Sequence, residues 1–325
     1  MNVSTNQANQ QSPKLIVCIN SYNQEKYISN AIESALIQDV DFDYLIYIHD
    51  DASTDDTQKI IRKYAEEYPE TIKTFFQKVN QYSKGFSPVV KYMLPRIKSK
   101  YIAILNGDDY WTDKSKLQKQ YEVLENDDNC MIVHHNCYKI FDNEQKKIIY
   151  HKKNISTIKF DDILKQNKIC TSTVVFRNTK LNDFIKAAST THFTDRLLWI
   201  YLLQYGHAIY LNESFSNYLI HDEGIYSSEK FHNRLKKRLH AREKLLDIKF
   251  NDKESELIIK SILRLRLLII MISLIKIQRK EFFVQVRELF LFKNKIKLNI
   301  MMLIRELTFV LFIELPSIIL NRIIK

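Results

Sequence analysis

Three short apolar runs, residues 15–19 (LIVCI), 44–48 (YLIYI) and 101–105 (YIAIL), have the length of buried strands, and each stops at a cluster of Asn, Asp or Ser. Ile28, Ala31, Ile32, Ala35 and Leu36 follow the first run at helical spacing; Ile60, Ile61, Tyr64, Ala65 and Tyr68 follow the second. Strands alternating with amphipathic helices predict a mostly parallel central sheet joined by right-handed crossovers, an α/β fold. Polar residues at the carboxyl ends of such strands line the crevice in which open α/β sheets take ligands.

The same reading predicts a first helix over 25–38, a third strand over 71–76 and a helix over 88–97. After the fourth strand it predicts a helix marked by Leu117, Tyr121 and Leu124, then a strand over 130–135. Ser53 or Thr54 is suited to cap the second helix, with Asp55 and Asp56 facing the positive end of its dipole; Asp50 and Asp51 precede it and are not explained that way. From 136 to 191 the period weakens, with hairpin-like segments over 137–151 and a strand over 172–177. Phe193-Thr194-Asp195-Arg196 opens a helix that Gly206 stops, and 207–211 and 215–221 read as two closing strands.

With only 4 Gly and 5 Pro, collagen-like and linker-rich classes are excluded. The net charge of +11 is concentrated beyond residue 229, where 22 Lys and Arg face 9 Asp and Glu. The body is therefore close to neutral, which argues against a protein wrapped around nucleic acid. Cys18, Cys130, Cys137 and Cys170 show no C-x-x-C pairing and read as reduced core residues of a cytoplasmic chain. Residues 1–13 lack the apolar stretch of a signal peptide and read as a disordered leader.

Five segments in order carry a resemblance: 17–28 (VCINSYNQEKYI), Ala31-Ile32-Glu33-Ser34 with Gln38, 50–55 (DDASTD), 106–113 (NGDDYWTD) and 116–120 (KLQKQ). Together they resemble the family 2 glycosyltransferases, and the likeness spans residues 14–225. It implies the GT-A nucleotide-diphospho-sugar transferase fold over 14–228, with residues 229–325 as a basic, apolar helical extension. Four positions depart from the family pattern. Asn20-Ser21 stands where many members have Pro-Thr or a similar pair, Ala52 where Gly is usual, and Asn106 where members often carry the first Asp of an Asp-x-Asp metal motif.

The resemblance further implies an inverting transferase that moves a sugar from a nucleotide donor, with UDP expected, to an acceptor hydroxyl, and the basic, apolar extension points to a growing, lipid-linked surface glycan as the acceptor. Asn20, Tyr22, Asp50, Asp51 and Asp108 would contact the donor, Asp51 by accepting an imide N–H of the base. Asp108, Asp109 and His221 would hold Mn2+ or Mg2+, hard cations that take few carboxylates plus phosphate oxygens. Asp195 would be the general base on the acceptor side. Each has a plainer reading from the residues alone: solvated loop carboxylates at 108 and 109, a surface aromatic at 22, a structural histidine at 221 and a helix cap at 195.

In the extension, the longest uncharged run, 267–275, is far short of the roughly 20 residues a spanning helix needs. Apolar helices punctuated by Lys and Arg fit peripheral contact with the inner face of a membrane, or a bundle packed on the body or mediating a homo-oligomer. A non-catalytic, membrane-associated adaptor on a degenerate transferase domain is the alternative function. A nucleotidyltransferase is disfavoured, since no Gly/Arg/Lys-rich triphosphate loop follows the first strand.

Overall fold

The computed structural model describes residues 12–141, 144–148, 157–167, 169–191, 194–221, 231–275, 279–295 and 300–311. The amino-terminal half is β1 (Leu15–Ser21), α1 (Ile28–Leu36), β2 (Tyr44–Asp50), α2 (Thr57–Glu67), β3 (Ile72–Phe76), β4 (Tyr101–Asn106), β5 (Tyr110–Trp111) and α3 (Lys116–Asn126). Then come β6 (Cys130–Phe141), β7 (Glu144–Ile148), β8 (Thr157–Ile158), α4 (Phe160–Lys165), β9 (Val175–Arg177), α5 (Asn182–Ala188), α6 (Thr194–Leu203) and β10 (His207–Ile220). One sheet in the order β3-β2-β1-β4-β9-β6-β10-β5 holds them, with β7 beside β6 and β8 beside β10.

The first four strands of that order are parallel, as the strand and helix alternation requires. β9 enters antiparallel between β4 and β6, and β6 and β10 run parallel to each other. β1 is buried on both faces, so its sequence is continuously apolar and does not alternate. Leu15, Val17 and Ile19 pack with Ile28 and Ile32 of α1, Ile61 of α2 and Leu117 of α3. Ile16 and Cys18 pack with Ile102, Ile104, Phe176 and Trp199 on the other side. Each fully buried aliphatic side chain stabilises by about 1.5–3 kcal/mol, and the two layers fix β1 as the centre of the amino-terminal half.

Several expectations change. Residues 88–97 form a wide helical turn (Val89–Met93) and a tight one (Leu94–Arg96) in place of a regular helix; Pro95 lacks the N–H that an α-helix would use there. Neither Ser53 nor Thr54 caps α2, which starts only at Thr57. The strand expected over 172–177 is confined to β9, preceded by a tight turn at Thr171–Thr173. The two closing strands are one, β10, bent where its pairing with β6 shifts register between Leu211 and Ser216, around exposed Asn212 and Glu213. β6 runs on to Phe141 and turns back along β7, so part of the expected hairpin exists; residues 149–156 and Phe193 lie outside the described residues.

The extension forms α7 (Phe231–Glu243), α8 (Asp252–Ile275), α9 (Arg279–Lys295) and α10 (Ile300–Phe309). Leu235 and Leu239 of α7 and Ile258, Ile262, Leu263 and Leu267 of α8 join the apolar cluster that contains Ile16 and Phe176, so these helices share the body's core. Arg264 pairs with fully buried Glu306 at 2.5 Å, tying α8 to α10, and Arg266 pairs with Glu243 of α7. Among the described residues no helix is long and apolar enough to cross a membrane.

Candidate active site

The crevice lies at the carboxyl ends of β1, β2 and β4, where Asn20 sits in register between His49 and Asn106. Its floor is made by interlocked turns. Asn23 N donates to Ser53 Oγ (2.9 Å), Gln24 N to Thr57 Oγ1 (2.8 Å) and Glu25 N to Asp55 Oδ2 (3.1 Å). Thr54 N returns a bond to Asn23 Oδ1 (2.8 Å). The Ser/Thr/Asp cluster that looked like a helix cap therefore satisfies the backbone of the neighbouring turn. Ala52 stands in the left-handed region (φ 65°), where a side chain costs about 1 kcal/mol and the family's usual Gly would not. Gly107 lets the β4–β5 loop lie on the first turn: a Cβ there would collide with Gln24 Oε1 and come within 3.1 Å of Ser21 Cβ.

Asp50 is buried, and its carboxylate accepts Ser53 N (2.9 Å), the Ser53 hydroxyl and Gln58 Nε2 (2.6 Å). It braces the loop from below. Asp51 is 1% exposed; Oδ1 accepts Gln81 N (2.8 Å) and Oδ2 accepts Tyr82 N (2.9 Å), leaving each oxygen a further lone pair. Asn20 turns its side-chain oxygen to His49 Nδ1 (3.0 Å), while Tyr22 is 38% exposed in the turn after β1.

Burial pushes His49 down to about 4, against the pull of Asp51 and Asp50 in the other direction. The unfolded chain therefore takes up a proton that the fold refuses, so stability falls as pH drops from about 6.5 toward 4. Between pH 7 and pH 4.5 this group should cost the wild type about 2 kcal/mol that His49→Gln does not lose. Urea melts at the two pH values check it, and equal losses in both proteins would remove His49 as the cause.

On the other side of Asn20, Asp108 Oδ2 meets His221 Nε2 at 3.1 Å, joining the β4–β5 loop to the end of β10. The His221 ring lies 4.9 Å from that of Tyr27. Adjacent Asp109 points elsewhere. It is 1% exposed: Oδ2 accepts Asn106 Nδ2 (3.0 Å) and the Ser172 hydroxyl, and Oδ1 accepts Leu219 N (3.1 Å). Burial first, then the charge of Asp108, raises its carboxyl well above the usual range. Asn106 thus stands where a third carboxylate would face a buried, already crowded one, and its amide donates instead.

Asp195, in the first turn of α6, accepts Thr171 Oγ1 at Oδ2 (3.0 Å) and its neighbour's amide, Arg196 N, at Oδ1 (2.7 Å). Thr194 Oγ1 is 2.8 Å from Ser87 Oγ, and Arg196 Nη2 donates to Ile163 O (2.7 Å) and Leu164 O (3.0 Å), fixing that end of α6. The structure thus brings Asp108 to His221, and Asp109 and Asp195 to adjacent residues of one turn.

Sequence reading missed that turn and its support. Trp111 Nε1 donates to Ser172 O (2.8 Å), and Lys116, fully buried, places Nζ 4.0 Å from the Trp111 ring centre while donating to Gln120 Oε1 (2.7 Å). Burial holds that amine well below the usual lysine range. The signal was present as Thr171-Ser172-Thr173, three hydroxyls between the apolar residues Ile169, Cys170 and Val174.

The model of the family described as Glycosyl transferase family 2 matches residues 16–183, just over half the chain, a span that includes Asp51, Asp108 and Asp109 and stops short of Asp195 and His221. The chain belongs to glycosyl transferase family 2. It is 32% identical over 212 residues to an uncharacterized protein of Mycobacterium tuberculosis, a match covering 64% of this chain and 59% of that protein. It is 28% identical over 215 residues to the Escherichia coli UDP-Glc:alpha-D-GlcNAc-diphosphoundecaprenol beta-1,3-glucosyltransferase WfgD, covering 65% of this chain and 78% of that one. Among solved structures, the mannosyltransferase PcManGT from Pyrobaculum calidifontis, in complex with GDP-Man and Mn2+, shares the fold. Its TM-score is 0.54 at 14% identity, over 93% of this chain and 88% of that one.

Enzymes of this GT-A family commonly use divalent metals. Among the described residues no three His, Cys, Asp or Glu side chains form a metal cluster. Asp108 and His221 are hydrogen-bonded to each other at 3.1 Å; Asp108 would offer such an ion a carboxylate oxygen, the donor type a hard cation takes, and His221 an imidazole nitrogen.

Proposed function

We propose that this family 2 chain is an inverting, metal-dependent glycosyltransferase that moves a sugar from a UDP donor to a hydroxyl of a lipid-linked glycan. The observation that carries the reading is the pairing of Asp108 with His221 at the carboxyl edge of β4, on the same sheet edge as Asp51 across β1 and linked through Asp109 and a single turn to Asp195. Asp51 accepts the imide N–H of the base with a remaining lone pair, and Tyr22 flanks the base. Asn20 and Asp50 hold that edge in shape. Asp108 and His221 would hold the Mn2+ or Mg2+ that stabilises charge on the departing diphosphate. Asp109 keeps the loop in place from beneath, and Asp195 takes the acceptor hydroxyl's proton.

The name of the E. coli relative, a transferase from UDP-Glc to a diphosphoundecaprenol-linked sugar, supports the donor base and the lipid-linked acceptor. The Mn2+ bound to the mannosyltransferase of like fold supports the metal. Calorimetric titration tests the donor site: UDP is expected to bind more tightly with Mn2+ than without, and more tightly than GDP. Equal affinities with and without the ion would count against the Asp108–His221 assignment.

A lipid-linked acceptor calls for contact with the cytoplasmic face of a membrane, and the extension supplies a suitable surface. Val284 and Leu291 of α9 and Ile304 of α10 are 47%, 52% and 51% exposed, beside exposed Arg287 and Arg305. Apolar side chains set among cations match an anionic lipid interface. The full-length chain should sediment with phosphatidylglycerol vesicles at low salt, and a variant with Glu at all three apolar positions should not. Wild-type protein left in the supernatant would rule the contact out.

A further inference from the structure

The turn Thr171–Thr173 links the two halves of the site by hydrogen bonds from adjacent residues. Thr171 Oγ1 donates to Asp195 Oδ2 (3.0 Å), and the next residue, Ser172, donates its hydroxyl to Asp109 Oδ2. The turn is held on three sides. Ser172 O accepts Trp111 Nε1 (2.8 Å) from β5 and Ser216 Oγ (3.2 Å) from β10, and Thr173 O accepts Gln120 Nε2 (2.9 Å) from α3. Ser172 and Thr173 are fully buried.

A carboxylate on a helix's first turn is free to rotate unless both oxygens are engaged. Asp195 has one oxygen on Arg196 N (2.7 Å) and the other on Thr171, so Thr171 sets the plane in which the carboxylate meets an acceptor. We propose that Thr171 and Ser172 are positioning residues for glycosyl transfer, acting through Asp195 and Asp109 to fix the spacing between the acceptor-side carboxylate and the donor-side loop. The proposal rests on the transferase reading above. Misplacing a reacting group by about 1 Å costs on the order of 100-fold, so losing one such bond should be visible in turnover.

The test is steady-state transfer by the full chain with Mn2+, a UDP-sugar and a lipid-diphosphate-linked sugar acceptor. Thr171→Val, which keeps shape and removes the hydroxyl, is expected to lower kcat by about 10–100-fold while donor KM changes by less than about threefold. Thr171→Ser should return kcat to within about threefold of wild type, which a packing defect would not predict. Placed in an Asp195→Asn chain, Thr171→Val should cost nothing further, because the bond's partner has already lost its charge. Ser172→Ala removes one of the three bonds that hold Asp109 and should lower kcat by less than Thr171→Val does. The proposal is overturned by a Thr171→Val enzyme within twofold of wild type, by Thr171→Ser no better than Thr171→Val, or by an undiminished loss from Thr171→Val in the Asp195→Asn background. Full turnover by Asp195→Asn alone would instead sink the assignment of the base on which the proposal depends.

Discussion

Asp195→Asn is expected to lower kcat for glycosyl transfer by about 10^2–10^4-fold while leaving UDP affinity within about twofold. The amide is isosteric: its one oxygen can still accept Arg196 N, and its NH2, in the place of Oδ2, can donate to Thr171 Oγ1, so α6 should keep its start and the protein its stability. What it cannot do is take a proton from an acceptor hydroxyl. A helix-capping role alone would give the opposite pattern, with turnover kept and the melting temperature changed. Kinetics and thermal melting of the same preparation therefore separate the two readings.

The second large effect divides the adjacent aspartates. Asp108→Ala should weaken Mn2+-dependent UDP binding by about 10–100-fold, because it removes one of only two protein ligands in the proposed set. Asp109→Ala should act mainly on the fold. It leaves Asn106 Nδ2, the Ser172 hydroxyl and Leu219 N without their acceptor in a buried place, at about 1–3 kcal/mol for each donor left unpaired. Calorimetry with urea melts of both variants reads the two outcomes. If Asp109→Ala lost metal dependence at wild-type stability, both carboxylates would have to face the ion.

Much of the fold was legible because burial writes itself into β1, β2 and β4 as short apolar runs, and into α1 to α3 as one-sided helical periods. The acceptor half was not. β10 bends at exposed Asn212 and Glu213, so its apolar pattern reads as two strands, and β9 is only Val175–Arg177, too short to show a period. Pro95 and the wide turn before it broke a stretch whose apolar residues otherwise fit a helix.

Within the site, Asp51 and Asp108 lie at the carboxyl ends of β2 and β4, His221 at the end of β10, and Asp195 at the turn that flanks them. Their local roles were less legible, since hydrogen bonds between distant segments decide them. Ser53 serves the neighbouring turn instead of the helix, Asp55 serves both by accepting Glu25 N and Thr57 N at the start of α2, and Asp109 is turned into the protein by Asn106, Ser172 and Leu219. Lys116 and Gln120, quoted as part of a motif, support the Thr171–Thr173 turn by way of Trp111 and Thr173.

The most direct measurement is UDP release coupled to product formation, with full-length protein, UDP-sugars, Mn2+ and a sugar carried on a lipid diphosphate. The predicted result is acceptor-dependent turnover that requires the divalent ion and is lost in Asp195→Asn. UDP-sugars left intact across the panel, by protein shown to be folded, would contradict the transferase reading and favour the membrane-associated adaptor.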